Sequence, residues 1–241
     1  MKDNFTHVCF IIDESGSMYD AIEDVKGGFK KIIEEQKANT VGTCAVSMYT
    51  FSNSVEKHFV LKDVNEVDSD LYFHPHGTTA LNDAVGTAID EIGEVLSSMD
   101  ESERPAANLI VIMTDGGENS SIEYSIEQVR EMIKHQTDKY SWTFMYLGAD
   151  ITTSKIADSL GVKYRGYSTK KNLDSNYSML NSVITKSRSL AAVNAGAAMD
   201  AEVKCYAAAV NNSFADETGD RVKWQTIRDD SGIIGYDLYL I

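Results

Sequence analysis

The run His7-Val8-Cys9-Phe10-Ile11-Ile12 is short, rich in β-branched and aromatic residues, and halted by Asp13. A second run, Asn108-Leu109-Ile110-Val111-Ile112-Met113-Thr114, repeats the pattern and is halted by Asp115. Runs this apolar, without polar alternation, read as strands buried on both faces, as in the centre of a parallel sheet. Between them Ile22, Val25, Phe29, Ile32 and Ile33 recur at helical spacing among charged residues, which reads as an amphipathic helix. Strands alternating with helices imply right-handed crossovers, hence an α/β, doubly wound, mostly parallel sheet flanked by helices, in the Rossmann-like manner. Such sheets bind ligands outside the carboxyl ends of their strands. Both aspartates fall at that edge.

The rest of the chain fits this frame. Thr43–Phe51 and Val55–Leu61 read as two strands joined by a Ser52-Asn53-Ser54 turn. Leu81, Val85, Ala88, Ile89, Ile92, Val95 and Leu96 give a second helix, followed by a polar connection, Asp100–Ala107, that contains Pro105. A third helix carries Ile126, Val129, Met132 and Ile133, with Ser125 and Gln128 spaced as a capping box. Trp142–Leu147 reads as a strand, and Thr153–Leu160 as a short helix closed by Gly161. Beyond about residue 165 the periodicity weakens. Residues 176–210 read as helical with an Ala-rich continuation, and Arg221–Ile241 as a hairpin around Asp229-Asp230-Ser231-Gly232. The expected division is a domain over residues 1–190 and a C-terminal appendage over 191–241.

At 43% hydrophobic, the 241 residues can bury a full core. The net charge is −15, and it is uneven: residues 1–150 carry 11 basic and 27 acidic side chains, whereas residues 151–190 carry 7 and 2. Phosphate backbones attract basic proteins, so nucleic acid is a poor general partner for this chain. The basic segment reads either as a contact surface or as ordinary solvated helix faces. Cys9, Cys44 and Cys205 are too few and scattered for a disulfide framework, which points to reduced core thiols. No secretory h-region opens the sequence and no apolar run approaches the ~20 residues needed to span a bilayer. The expectation is a soluble cytoplasmic protein without a membrane partner.

After the first run comes Asp13-Glu14-Ser15-Gly16-Ser17-Met18, with one carboxylate and two hydroxyls at alternate positions and Gly16 permitting a tight turn. Such a set is hard oxygen chemistry, suited to Mg²⁺ or Mn²⁺ rather than Zn²⁺, which favours His and Cys. Gly77-Thr78-Thr79-Ala80-Leu81 precedes the second helix, and Thr114-Asp115-Gly116-Gly117 follows the second apolar run. With these three segments the chain resembles a von Willebrand factor type A domain with a metal-ion-dependent adhesion site, over roughly residues 5–165. The stretches Thr114–Ser120 and Leu147–Ile151 are similar to a stand-alone bacterial and phage branch of that family. The resemblance implies that Ser15, Ser17 and Thr79 coordinate a divalent cation, with Asp13 and Asp115 acting directly or through water. It further implies that an Asp or Glu carboxylate of a partner protein completes the shell. Thr79 is preferred to Thr78 because it has the family's spacing to Leu81.

Other residues keep two readings. His74 and His76 are either a second metal or pH-sensitive contact, or incidental members of a rigid loop. Glu14 and Glu118 either tune the rim of the site or are surface charge. Tyr19 either forms part of a docking rim or packs the helix start. Nucleophile elbows, phosphate loops and metallohydrolase spacings are absent, so no catalytic residue is assigned and the chain is not read as an enzyme. A metal-dependent hydrolase would need a base that the sequence does not supply. The preferred function is a metal-dependent protein-binding module. The main alternative is a structural or assembly component, possibly phage-related, that oligomerises through the C-terminal part, with Ile233–Ile241 pairing at a sheet edge.

Overall fold

The computed structural model of the chain describes residues 1–70, 72–148, 154–167, 173–189, 222–229 and 232–240. Its elements run β1 (Lys2–Asp13), α1 (Ile22–Ala38), β2 (Thr43–Phe51), β3 (Val55–Asp63), α2 (Leu81–Ser98) and β4 (Pro105–Thr114). They continue with α3 (Ile126–Tyr140), β5 (Thr143–Gly148), α4 (Ser154–Leu160), β6 (Tyr164–Tyr167), α5 (Leu173–Ser189), β7 (Val222–Asp229) and β8 (Gly232–Leu240). The strands form one sheet in the order β3-β2-β1-β4-β5-β6-β8-β7. β3 is antiparallel to β2, and β7 to β8; every other neighbouring pair is parallel.

The alternation of side chains along β1 divides the core between the two faces of the sheet. Val8, Phe10 and Ile12 pack with Val25, Phe29, Ile32 and Ile33 of α1 and with Leu180, Val183 and Ile184 of α5. Cys9 and Ile11 face the opposite way, among Val85, Ala88, Ile89 and Ile92 of α2, Val129 and Ile133 of α3, and Ala157 and Leu160 of α4. The chain leaves β1 towards β2 on one side and enters β5 from β4 on the other. The sheet order therefore reverses between β1 and β4, and a crevice opens beyond their carboxyl ends.

Several elements differ from expectation for physical reasons. β1 begins at Lys2 because its polar, exposed first residues join the sheet through the backbone: the Lys2 N–H donates to the Arg104 carbonyl at 2.7 Å. β4 likewise begins at Pro105, where the first position of a strand tolerates the missing N–H. The expected capping box of α3 forms: the Ser125 Oγ accepts from Gln128 N–H and the Gln128 side chain from Ser125 N–H. The C-terminal hairpin forms as β7 and β8, but β8 lies between β6 and β7, so the edge of the sheet is β7 rather than the run at Ile233. The Ala-rich continuation over residues 190–210 lies outside the described residues. No helix of the described residues is long and apolar enough to cross a membrane.

Candidate metal centre

Asp13 is the last residue of β1 and is fully buried. Its Oδ1 accepts the Ser15 backbone N–H at 2.6 Å, which shapes the turn that follows the strand. Its Oδ2 accepts the Thr114 hydroxyl at 2.5 Å, which ties the end of β1 to the end of β4. Burial pushes the Asp13 carboxyl above its ordinary value; the Thr114 and Ser15 bonds oppose the rise, and the nearby charge of Asp115 adds to it.

Ser15 is buried at the head of a short 3-10 turn, Gly16–Asp20, and Ser17 is exposed within it. The Ser17 hydroxyl donates to Asp115 Oδ1 at 2.6 Å, and the Ser15 Oγ lies 3.0 Å from the Ser17 Oγ. Ser17 has a single proton, committed to Asp115, so Ser15 is the donor of that second bond. The four residues are thus linked in a file that crosses from the β1 loop to the β4 loop.

Thr79 enters from the third loop and is held at both ends of its peptide unit. Its N–H donates to Asn119 Oδ1 at 2.8 Å and its carbonyl accepts the Asn119 N–H at 3.0 Å. Thr78 is turned aside, its N–H and hydroxyl both donating to Asn53 Oδ1, at 2.6 and 2.8 Å. The loop needs glycine at position 77, where φ is +68° and a Cβ would lie 2.1 Å from Asn53 Oδ1. The Gly77 carbonyl in turn accepts the Gly16 N–H at 3.3 Å.

Gly116 shows where the three loops converge. A Cβ on it would meet Ser17 Oγ at 3.4 Å, Thr79 Oγ1 at 3.5 Å and Asp13 Oδ2 at 3.9 Å. The open side of this glycine is therefore a cradle walled by a carboxylate and two hydroxyls, with Asp115 bonded to one of them. These are hard oxygen donors, and they fit a divalent cation of the Mg²⁺ type. The geometry thus brings together all five residues singled out from the sequence, Asp13, Ser15, Ser17, Thr79 and Asp115. Among the described residues no group of three or more His, Cys, Asp or Glu is placed to hold a metal ion, at these loops or elsewhere.

The flanking candidates take other roles. Glu118 is a helix cap: its carboxylate accepts from the N–H groups of Asn82, Ser120 and Ser121 and from the Ser121 hydroxyl, at 2.6–2.8 Å. Glu14 is buried, its Oε1 accepting the His74 N–H at 3.2 Å and its carbonyl the His76 N–H at 2.8 Å. His76 braces the same loop, with Nδ1 2.6 Å from the His74 carbonyl and Nε2 3.0 Å from the Ser52 Oγ. Tyr19 stands 76% exposed, not packed under the helix start. Asn119, Asn53 and Thr114 were not singled out; their roles rest on contacts across the sheet that no local pattern encodes.

The sequence profile of the von Willebrand factor type A domain matches residues 7–217. No curated protein matches the chain as a sequence. Among solved structures it is similar to proximal thread matrix protein 1 from the mussel byssus, with a TM-score of 0.54 and 16% identity over 78% of this chain and 48% of that one. It is similar also to the PilB minor pilin from Streptococcus sanguinis, with a TM-score of 0.55 and 14% identity over 77% of this chain and 62% of that one. The pilus adhesin SpaC from Lactobacillus rhamnosus GG gives a TM-score of 0.58 and 14% identity, over 77% of this chain and 30% of that one. This chain thus spans less than two thirds of each of these proteins, and at such identities the likeness is one of fold. With a profile match across most of its length and a sheet that reverses at the predicted crevice, the chain belongs to the von Willebrand factor type A domain family.

Proposed function

We propose that the chain is a metal-dependent protein-binding module. Asp13, Ser15, Ser17, Thr79 and Asp115 would hold a divalent cation, Mg²⁺ or Mn²⁺, and an Asp or Glu carboxylate of a partner protein would complete its coordination. The convergence of the Ser17, Thr79 and Asp13 oxygens on the open side of Gly116 carries this reading. With the neutral hydroxyls of Ser15, Ser17 and Thr79 as donors and Asp13 and Asp115 acting directly or through water, few anionic donors would touch the ion, which would leave it electrophilic towards an incoming carboxylate; that is the chemistry the ion supplies when bound. The family context supports the choice: von Willebrand factor type A domains generally serve as protein-interaction modules. One form of the byssus protein, similar with a TM-score of 0.50 and 17% identity, has a zinc-occupied MIDAS motif. The oxygen-only donors here favour harder ions. The buried, free thiols of Cys9 and Cys44 support a cytoplasmic setting.

Calorimetric titration with Mg²⁺, Mn²⁺ and Zn²⁺, paired with thermal unfolding, tests the proposal. A hundredfold excess of ion over its Kd should stabilise the fold by about 2.7 kcal/mol. Thr79→Ala and Asp13→Ala should abolish ion binding and that shift while retaining a cooperative transition. A wild-type chain that binds none of the three ions would overturn the reading.

A further inference from the structure

The amino edge of the sheet, opposite the metal centre, holds a cavity of about 670 Å³ between the last turns of α2 and α3 and the start of β4. Its size is that of a small-molecule site. Ile89 and Leu96 of α2, Pro105 of β4 and Trp142, just before β5, line it and are all buried, so its inner wall is apolar. Gly93 of α2 belongs to the same wall, and a Cβ there would meet nothing within 4 Å. Gly86, earlier on α2, is packed instead by the Tyr124 ring, where a Cβ would lie 2.5 Å from it. Gly93 thus keeps open space on the helix face that lines the cavity.

Two hydrogen-bond donors in this wall have no partner. Asn108 is 7% exposed, and its Oδ1 lies 3.2 Å from His7 Nδ1. The Ser47 Oγ accepts the Leu61 N–H and lies 2.7 Å from His7 Nε2, so its own proton goes to Nε2 and the imidazole proton stays on Nδ1. The Asn108 oxygen is therefore the acceptor of that bond, and its amide N–H groups remain for another acceptor. Trp142, 4% exposed, lines the same cavity with an indole N–H. Among the described residues neither Asn108 Nδ2 nor Trp142 Nε1 has a hydrogen-bond partner, and both atoms remain open to solvent. With so little of either residue exposed, the cavity is where those atoms are reached. A donor left unpaired within an apolar wall is unfavourable until something accepts from it.

The charges narrow the ligand. Asp90, Glu94 and Glu101 stand exposed at the mouth, together with Lys139 and the half-buried Arg104. Arg104 already donates from Nε and Nη2 to the Met99 and Ser97 carbonyls at the end of α2. A mouth of mixed sign favours neither an anion nor a cation, and the donors inside are neutral N–H groups. We infer that this cavity binds an uncharged small molecule. Its apolar body, about the size of an aromatic ring, lies against Ile89, Leu96 and Trp142, and its carbonyl-type oxygen accepts from Asn108 and Trp142. The site is separate from the metal centre and does not depend on that reading.

The probe is acetanilide, which joins a phenyl ring to a neutral carbonyl. It is added to the full chain in EDTA and followed by saturation-transfer NMR and by the Trp142 indole N–H resonance. Benzoate, benzylamine and ethylbenzene keep the ring but carry a negative charge, a positive charge or no acceptor. Acetanilide should bind saturably, move the indole resonance and bind about tenfold or more tightly than each of the three, because only it satisfies the donors without bringing charge. Gly93→Leu, which fills the open space from the helix side, should abolish binding and retain cooperative unfolding. Asn108→Asp keeps the oxygen that faces His7, removes the N–H donors and should weaken binding about tenfold. Trp142→Phe, which removes the indole N–H, serves should that variant fail to fold. No saturable binding, an unmoved indole resonance, a comparator that binds as well, or indifference to Gly93→Leu or to loss of the donors would overturn the inference.

Discussion

Gly116 is the residue at which the candidate site can be closed without being broken. An alanine methyl there would stand 3.4–3.9 Å from the Ser17, Thr79 and Asp13 oxygens, ordinary contact that strains nothing. A cation about 2.1 Å from such oxygens needs the same space. Gly116→Ala should therefore leave the unfolding midpoint in EDTA nearly unchanged while removing the Mg²⁺-induced shift; an undiminished shift would place the ion elsewhere. The five residues expected at the site came from three short segments whose pattern resembles the family's, and the fold brings those segments together at this end of the sheet. Asn119 was not legible in this way, although it grips Thr79 through both its side chain and its backbone N–H. Its partner is 40 positions away, and an Asn after a turn looks locally like any loop residue. Glu118 kept two readings, rim of the site or surface charge, because its contacts with the Asn82, Ser120 and Ser121 N–H groups depend on α2 being placed beside it.

The elements most legible from the sequence were those whose periodicity is driven by a buried face, β1, α1, the β2–β3 hairpin, α2, β4 and α3. The short strand β6 escaped because four residues give no period, and the role of α5 escaped because its key side chain works outside its own helix. Arg188, near the end of α5, is buried beneath the end of α1. Its Nη1 donates to the Gln36 carbonyl and Oε1 at 2.7 and 2.9 Å, its Nη2 to the Asn39 and Gly42 carbonyls at 2.7 and 3.2 Å, and its Nε to the Val41 carbonyl at 2.9 Å. A guanidinium there satisfies the unpaired carbonyls of a helix terminus and opposes the negative end of its dipole. α5 also seats the Tyr177 ring against Gly28 of α1, where a Cβ would lie 2.1 Å from it. Arg188→Ala should lower stability by about 2–4 kcal/mol, the cost of several buried acceptors losing a charged donor. Urea unfolding measures it, and a midpoint within error of wild type would mean that α5 is only loosely attached.

Across the whole sheet the two edges do different work. The carboxyl edge gathers charge and oxygen donors, and away from it a neutral hydrogen-bonded chain joins four strands. His7 of β1 lies between Asn108 of β4, with Nδ1 3.2 Å from Oδ1, and Ser47 of β2, with Nε2 2.7 Å from Oγ. The Ser47 Oγ also accepts the Leu61 N–H of β3 at 3.0 Å. The arrangement suits a neutral imidazole that donates from Nδ1 and accepts at Nε2, and burial lowers the His7 pKa from 6.5 to about 4. The folded state therefore binds fewer protons than the unfolded chain between these values, so stability rises with pH through that window. The contribution is fully present above pH 6.5 and fades as pH falls towards 4 and below it, amounting in all to about 3 kcal/mol. Asp13 acts with the opposite sign, since a carboxyl raised by burial contributes stability that is lost as pH rises through its folded value. That term is common to the wild type and to a His7→Gln variant, so it cancels between them. Between pH 7.5 and pH 5 the wild type should lose about 2 kcal/mol more unfolding free energy than His7→Gln, read from urea titrations in EDTA at both pH values. Equal losses in the two proteins would mean that the imidazole is protonated within the fold, and that water or a rearranged Asn108 reaches it there.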